Sequence, residues 1–210
     1  MNLAAVTLAG THVRLEPLAR AHVPGLLAAA GTELELYKWS FIPQTLADAT
    51  QYVANALAAQ AEGTALPFAT VRVSDGVVIG STRFFDIERW GWPAGHEEAA
   101  RPGPDTCEIG YTWLAPAAIR TAANTEAKLL MLTHAFDVWG VRSVSFHTDA
   151  RNERSRAALT RLGAGFEGVL RAHRLGSDIK PRDSARFSIV AAEWPRVRER
   201  LRARLAAHAA

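Results

Sequence analysis

The chain has 210 residues, of which 49% are hydrophobic and 21% are charged, and its formal net charge is +3. This length is typical of one domain with a sizeable core, and the composition argues against a disordered chain. A single cysteine, Cys107, excludes an internal disulfide framework and an all-thiolate metal site. No apolar run approaches the roughly 20 residues of a membrane span, and no basic region opens the sequence. We therefore expect a cytoplasmic protein without a membrane partner.

Apolar periodicity and turn residues predict strands and helices along the N-terminal half. Gly31 and Gly63 each follow an apolar-patterned stretch and are typical of helix ends. Residues 74–76, Ser-Asp-Gly, separate two strand-like runs and predict a hairpin. The predicted helices cover residues 19–30 and 47–61, and the predicted strands cover residues 12–16, 68–73 and 77–85.

The C-terminal half has the clearer pattern. Leu129, Leu132, Phe136 and Trp139 share one face of a predicted helix that ends at Gly140. Helices are predicted over residues 123–139, 153–162 and 193–207, and strands over residues 107–114, 141–148, 165–174 and 186–191. This order of elements predicts a mixed α/β sheet in one domain that spans residues 1–210.

Residues 88–105 interrupt the regular pattern. They contain Trp90, Trp92, four acidic residues, three prolines and three glycines, and strand-like sequence resumes after them. We interpret the segment as a long loop rather than a linker between domains. Loops of this length inside a compact domain are uncommon and are often functional.

The segment after the strand at 107–114 offers a site for phosphate. A short polar loop, which contains Arg120, leads from this strand into the helix at 123–139. The first amides of a helix lack intrahelical partners and lie at its positive end, so they suit a phosphate or pyrophosphate. Strand–loop–helix units are common, however, and an ordinary connection capped by Thr121 or Asn124 is an equal alternative.

A series of short motifs allows a more specific interpretation of the sequence. Residues 149–159 read Asp-Ala-Arg-Asn-Glu-Arg-Ser-Arg-Ala-Ala-Leu, and residues 162–168 read Leu-Gly-Ala-Gly-Phe-Glu-Gly. Other motifs of the series lie at 13–18, 67–69, 79–82, 108–111, 124–130, 182–184 and 193–195. In their order and spacing the chain resembles the Gcn5-related N-acetyltransferases (GNAT), in particular the RimJ/RimL-like branch, which acetylates protein N-termini and small amines. The resemblance covers most of the chain.

The resemblance implies a fold and a co-substrate. The fold would be α/β (α+β), a single GNAT-like domain whose central twisted sheet has about seven mostly antiparallel strands, with helices on its faces. Acetyl-CoA would bind, without a metal, between splayed strands at 107–114 and 141–148. Its pantetheine arm would pair with the backbone near Trp113 and Leu114, because an extended amide chain can add to an open sheet. The remaining cofactor contacts would come from Arg120, Thr121, Ala122, Ala123, Asn124, Thr125, Asn152 and Ser155.

The phosphate loop departs from the family pattern, which is Gln/Arg-x-x-Gly-x-Gly/Ala. Residues 119–124 are Ile-Arg-Thr-Ala-Ala-Asn, so neither possible register supplies the glycine. Alanine can replace glycine where the backbone keeps a negative φ, whereas a positive φ would be costly. The absence of this glycine is expected to affect the affinity for CoA more than the fold.

The resemblance also implies direct attack of an amine on the thioester, with the oxyanion near the N–H of Leu114. Some relatives have a tyrosine acid seven residues after the asparagine, where this chain has Leu159. Ser155 matches the serine that has this role in the RimL-like branch, although a hydroxyl without function in a helix first turn is an equal alternative. Asn152 has the helix N-cap as an alternative or additional role.

Two residues are the main candidates for the general base. His147 lies five residues before Asn152, where a related N-terminal acetyltransferase has its glutamate, and a neutral imidazole relays protons near pH 7. Glu108 on the opposing strand is the next candidate, followed by His173 and Asp149. The structural alternatives are a strand histidine without a catalytic role and a Glu108 that pairs with an arginine.

The acceptor pocket is expected to use one arginine and several aromatic side chains. For each of the aromatic residues, packing in the core is the more common role. The candidates are Tyr37, Trp39, Phe41 and Arg83, with Trp90 or Trp92 as further members.

Three other signals favour structural interpretations. His96-Glu97-Glu98 hints at a metalloprotease helix, but that pattern needs a histidine where Ala100 stands. Cys107 begins a predicted strand and is interpreted as packing. The last helix carries five arginines between residues 196 and 204, and its apolar stripe favours a solvated face opposite a packed one. The stripe consists of Trp194, Val197, Leu201 and Leu205.

The sequence therefore predicts an acetyl-CoA-dependent N-acetyltransferase that acts on a protein N-terminal α-amine or a small amine. One alternative is a non-catalytic acyl-CoA-binding or sensor protein on the same fold. Another is a ribosome- or RNA-associated factor that uses the basic tail, although a net charge of +3 does not demand a nucleic acid. Dimers are common in the RimJ/RimL-like branch, so a homodimer is compatible with the resemblance.

Overall fold

The computed structural model describes residues 4–209, and its centre is one mixed sheet. The strands are β1 (Leu8–Ala9), β2 (Val13–Pro17), β3 (Ala65–Arg72), β4 (Val78–Glu88), β5 (Thr106–Leu114), β6 (Ser143–Asp149), β7 (Gly165–Leu175) and β8 (Pro181–Val190). Within the described range the sheet has 8 strands in the order β1-β2-β3-β4-β5-β6-β8-β7. Every pair of neighbours is antiparallel except β5 and β6, which are parallel.

Helices cover both faces of this sheet. They are α1 (Val23–Ala30), α2 (Leu46–Ala61), α3 (Ala122–Thr133), α4 (Glu153–Leu162) and α5 (Trp194–Ala209). Side chains of α3, α4 and α5 share the larger apolar cluster with strand residues such as Phe84 and Ile109. Side chains of α1 and α2 form the second cluster on the opposite face, around Val53 and Trp113. Side chains alternate along each strand, so the strands contribute residues to the clusters on both faces of the sheet.

The predicted elements are present, with differences at their ends. About seven strands were expected, and the described residues form eight, because the two-residue strand β1 pairs with β2. The predicted strand at 186–191 begins at Pro181, since its first residues gain their hydrogen bonds from the β7–β8 hairpin. The segment 88–105 contains a single 3-10 turn at Glu97–Ala100, and the helix at 123–139 ends in a π-helical segment that stops at the left-handed Gly140.

The last helix packs on the sheet by its apolar stripe, as predicted. Trp194, Val197 and Leu201 are buried in the larger cluster. On the outer face Arg198 pairs with Asp137, and Arg202 pairs with Glu199. These contacts support a solvated charged face. No helix of residues 4–209 combines the length and the apolar character that a membrane crossing needs.

A buried carboxylate ties the N-terminal strands to α3. Glu126 is 6% exposed, and its side chain accepts hydrogen bonds from the backbone N–H groups of Thr11, His12 and Val13 at 2.8, 2.6 and 2.7 Å. Gly10 lies against the same carboxylate, where a side chain would clash with it. Three donors to one carboxylate satisfy its charge without a cation.

We expect Glu126→Gln to lower the free energy of unfolding by about 2–4 kcal/mol. The side-chain amide of glutamine places N–H donors against backbone N–H groups, which then lose their acceptor. Urea unfolding measures the change. The exposed Glu199→Gln is the control and should stay within about 0.5 kcal/mol of the parent protein. Equal effects of the two substitutions would contradict this role of Glu126.

Lys128 is a buried amine on α3 without a carboxylate partner in the described part of the chain. It is 6% exposed, and its Nζ donates to the hydroxyls of Thr112 at 2.7 Å and Thr82 at 3.4 Å. Burial lowers the pKa of Lys128 from 10.5 to about 7. The cost of burying the charged amine lowers the stability of the fold in full below pH 7, and this cost fades as the pH rises from 7 to 10.5.

We expect Lys128→Met to stabilise the protein on the order of 3 kcal/mol at pH 7, because the cost of burying the amine is removed. The gain should shrink toward zero as the pH approaches 10.5, where the unfolded chain also becomes neutral. Urea unfolding of parent and variant at pH 7 and pH 10 gives both values. The exposed Lys180→Met serves as the control, and a gain that is independent of pH would contradict a lowered pKa.

Candidate active site

The strands β5 and β6 separate soon after they pair. Their register joins only Thr106–Ser143, Cys107–Val144 and Glu108–Ser145. Beyond Glu108, no strand of residues 4–209 pairs with this edge of β5, which continues to Leu114. The predicted splayed strands are therefore present, and a wedge-shaped gap lies between them.

The backbone of Leu114 faces this gap. Ala115 N–H donates to Ile79 C=O at 2.7 Å, which makes the neighbouring Gly80–Leu114 pair a non-hydrogen-bonded one. The N–H and C=O of Leu114 therefore point away from β4. The C=O accepts a hydrogen bond from the Tyr37 hydroxyl at 2.7 Å. The N–H is left in the position expected for an oxyanion donor.

A β-bulge in β5 accompanies the separation of the strands. Ser81 pairs with Trp113 and Arg83 with Gly110, so Tyr111 and Thr112 together oppose Thr82. Tyr111 has a φ of 50°, a left-handed conformation that is unusual for a tyrosine. The bulge turns the Tyr111 side chain outward and bends β5 away from β6.

The start of α3 provides the amides at the mouth of the gap. Thr121 is the N-cap, and its hydroxyl accepts the N–H of Ala123 at 3.2 Å. Ala122 and Ala123 are helical, so alanine serves at these positions without strain. The positive φ of the loop, 65°, falls instead on Arg120. The arginine is exposed and makes no ion pair with any of residues 4–209.

We expect Arg120→Gly to be more stable than Arg120→Ala by about 1 kcal/mol, because only glycine adopts a positive φ without steric cost. Urea unfolding of the two variants measures the difference, and the lost charge is common to both. At Gln51, inside α2, the same pair of substitutions should give the opposite order, with alanine more stable by about 1 kcal/mol. An alanine variant at position 120 that matches the glycine variant would contradict the strain.

Asn152 and Ser155 lie on the other side of the gap, at the start of α4. The Asn152 side-chain oxygen accepts the Ser155 N–H at 3.0 Å, so the N-cap role is present. The Asn152 amide nitrogen and the Ser155 hydroxyl make no hydrogen bond to the described residues, which leaves both free for a ligand. Leu159 is buried in the core and cannot donate a proton.

Glu108 and His147 are brought together at the point where the strands separate. The Nδ1 atom of His147 lies 2.8 Å from the Glu108 carboxylate, and both side chains are less than a tenth exposed. The two atoms are close, but their geometry does not meet that of a regular hydrogen bond. Arg174 lies 3.0 Å from the same carboxylate and 2.6 Å from Asp86, so Glu108 is also paired with an arginine.

The two lesser base candidates differ in position. The His173 ring lies 4.7 Å from that of His147, and burial, with the nearby His147 and Arg174 charges, lowers the pKa of His173. Asp149 instead binds Arg151 through both carboxylate oxygens at 2.9 and 2.8 Å. Burial acts to raise the pKa of Asp149, but the Arg151 hydrogen bonds outweigh it and lower the pKa. Asp149 is therefore a structural anchor.

The predicted acceptor residues fall into separate groups. Tyr37 is buried on the Leu114 carbonyl, and burial, with a smaller effect of Glu33, raises the pKa of Tyr37. The Trp39 ring lies 4.5 Å from the Arg151 guanidinium, close to the start of α4. Phe41 is largely exposed, so the alternative of core packing is wrong for this residue.

Trp90 and Trp92 lie at the start of β5. Their rings contact each other at 5.7 Å, and the Trp92 indole N–H donates to Asp105 at 3.1 Å. Asp105 precedes β5, at the opposite end from Leu114. The loop thus folds back on the start of β5 and carries both indoles away from Leu114.

Arg83 forms the second group, with residues that the sequence analysis missed. Its guanidinium lies 3.9 Å from the Tyr111 ring and 5.4 Å from the Tyr52 ring. The Phe85 ring lies between Tyr111 and Arg174, at 5.0 and 5.1 Å. Tyr111 ends the motif at 108–111, but no sequence signal marks its contact with Arg83 or marks Arg174, because the bulge and the β7 register that place these side chains depend on distant strands.

Comparison with known proteins gives the family of the chain. Residues 12–165 match the family model described as an acetyltransferase (GNAT) domain. The chain belongs to the GNAT acetyltransferase family. No curated protein matches it.

Solved structures share the fold over nearly the whole chain. A GCN5-related N-acetyltransferase from Brucella melitensis is 29% identical, with a TM-score of 0.82 over 98% of this chain and 87% of that one. An acetyltransferase from T. thermophilus is 34% identical, with a TM-score of 0.78 over 98% and 100% of the two chains. RimJ from Mycobacterium smegmatis, in complex with CoA-disulfide, is 21% identical and supports the fold alone, with a TM-score of 0.73 over 95% and 91%.

Proposed function

We propose that this protein is an acetyl-CoA-dependent N-acetyltransferase of the RimJ/RimL-like type. Its acceptor is a primary amine, either a protein N-terminal α-amine or the amine of a small molecule. The observation that carries the proposal is the gap between β5 and β6, with the Leu114 N–H directed into it and a helix N-terminus at its mouth.

The residues around the gap fit an acyl-CoA. The unpaired edge of β5 can pair with the amides of an extended pantetheine arm. The free Asn152 amide and Ser155 hydroxyl face the arm from α4, and the first amides of α3, with the Arg120 charge, suit its pyrophosphate. Among the relatives of this fold, MccE is described in complex with acetyl-CoA and AMP, at 18% identity.

The reaction then needs no acyl-enzyme. The neutral amine attacks the thioester carbonyl, the new C–N bond forms, and the carbonyl oxygen becomes an oxyanion that the Leu114 N–H stabilises. The C–S bond breaks as the oxyanion collapses, and the departing thiolate takes a proton through the Ser155 hydroxyl, which in turn takes one from solvent water. The proton of the amine passes to the pair of Glu108 and His147, directly or through water.

Arg174 supports this assignment of the base. Its guanidinium lies 3.0 Å from the Glu108 carboxylate, and His147 Nδ1 lies 2.8 Å from the same carboxylate, so the three side chains form one cluster. Glu108 and His147 thus act as one proton acceptor at the apex of the gap. The neighbouring His173 has a lowered pKa and stays neutral, so it adds no competing charge near neutral pH.

We expect the double variant Asn152→Ala with Ser155→Ala to lower turnover at least about tenfold, because it removes a contact to the arm and the proton donor for the thiolate. The release of free thiol from acetyl-CoA measures turnover. Asn152→Ser is the matched control for stability, since a serine still caps α4. Unchanged turnover in the double variant would refute the site.

A panel of primary amines, including N-terminal peptides, tests the function itself. Thiol release with at least one amine, together with heat on titration of acetyl-CoA, is the expected result. Binding of CoA without turnover on any amine would overturn the proposal in favour of an acyl-CoA sensor. The absence of heat with both CoA and acetyl-CoA would overturn both functions, because the gap would then hold no thioester.

A further inference from the structure

Arg83 is a buried cation beside the reaction centre. It projects from β4, is 7% exposed, and lies between the Tyr111 and Tyr52 rings. Stacking on aromatic faces holds the guanidinium in place but does not neutralise its charge. Arginine stays protonated in proteins, so this position carries a full positive charge at any ordinary pH.

This cation has no anionic partner in the part of the chain that the structure describes. No carboxylate of residues 4–209 lies within ion-pair distance of Arg83, and its buried Nε–H has no hydrogen-bond acceptor. A buried charge without a counter-ion is costly, and buried donors are nearly always paired. A bound ligand can therefore supply the anion that Arg83 lacks.

The other arginines on this side of the sheet already have carboxylates near them. Arg174 and Arg182 lie opposite each other in the β7–β8 hairpin. Arg174 is paired with Asp86 and Glu108, so it offers little to a further anion. Arg182 lies near Asp149 and Glu108. Arg83 is therefore the arginine of this group whose charge remains available to a negatively charged molecule.

A continuous row of contacts joins Arg83 to the proposed base. Tyr111 contacts Arg83 and Phe85, Phe85 contacts Arg174, and Arg174 binds Glu108. Phe85 pairs with Glu108 in the sheet, and Arg83 lies two residues before Phe85 on β4. Two residues of a strand span about 7 Å. A molecule whose amine is at Glu108 can therefore reach Arg83 with a group several bonds away.

We propose that the acceptor amine carries an anionic group, a carboxylate or a phosphate, that binds the Arg83 guanidinium. The inference rests on the proposed acetyl transfer and names the class of its acceptor. The Tyr111 and Phe85 rings form the apolar surface along which the chain between the amine and the anion lies. The left-handed backbone of Tyr111 is what places the ring over Arg83.

Three acceptors of equal length test this class by initial rates: aminohexanoate, its carboxamide and aminopentylphosphonate. We expect kcat/KM to be at least about tenfold higher for one of the two anions than for the amide, because a guanidinium–anion pair is charge-assisted. The two anionic arms distinguish a carboxylate from a phosphate. Arg83→Gln should bring the ratio of anion to amide close to one, and Arg83→Lys should keep part of it.

Arg72→Gln is the matched control. Arg72 lies on the adjacent strand β3 but is only partly buried and pairs with Asp75 at the hairpin turn, so its loss should leave the ratio unchanged. Equal rates of the parent protein on the anionic and neutral acceptors would overturn the Arg83 proposal and leave acetyl transfer intact.

A binding measurement separates this proposal from the function. Calorimetry with adipate, which has two carboxylates and no amine, should show heat with the parent protein and with Arg72→Gln but not with Arg83→Gln. Adipamide should show none. If no amine is acetylated, acetyl transfer fails while adipate binding still decides the role of Arg83. Equal heats of adipate binding to the parent protein and to Arg83→Gln would overturn the proposed role of Arg83.

Discussion

The free edge of β5 is the constraint on which the proposed site depends. A strand edge without a partner leaves backbone donors and acceptors unpaired, which is costly away from water. Here the bulge at Tyr111 and the short β5–β6 pairing create the edge, and the Tyr37 hydroxyl satisfies one of its carbonyls, that of Leu114. The Leu114 N–H has no strand partner on this side within residues 4–209, and the fold holds this donor at the gap. The interruption that weakens the sheet thus creates the edge on which the proposed binding site depends.

Charge is distributed unevenly along this edge. At the apex, Glu108 contacts both His147 and Arg174, so its carboxylate is neutralised within the fold. At Arg83 no such partner exists in residues 4–209, and two aromatic rings alone hold the cation. Electrostatic effects are strong where water is excluded, so the first arrangement suits proton transfer and the second suits recognition of an anion. One side of the sheet therefore holds both the proposed base and the proposed anion site.

Local sequence signals predicted the elements well and their partners poorly. Gly31 and Gly140 end helices where the pattern indicated, because a helix end needs only its own residues. The position of Trp90 and Trp92 at the start of β5 did not follow from the sequence, because the path of a long loop depends on its anchor at Asp105. The short strand β1 was missed for a related reason, since two residues have no periodicity and become a strand only through pairing with β2.

By itself the sequence determined the family, through the order of its motifs, and local features such as the Asn152 cap, whose bond spans three residues. The tertiary structure alone decided the contact of Glu108 with His147 and the stacking of Tyr111 on Arg83. Both contacts join separate strands, and register and the bulge set which side chains meet there. A strand pattern specifies which face a side chain occupies, but a shift of one residue reverses that face, so its neighbours follow only from the assembled sheet.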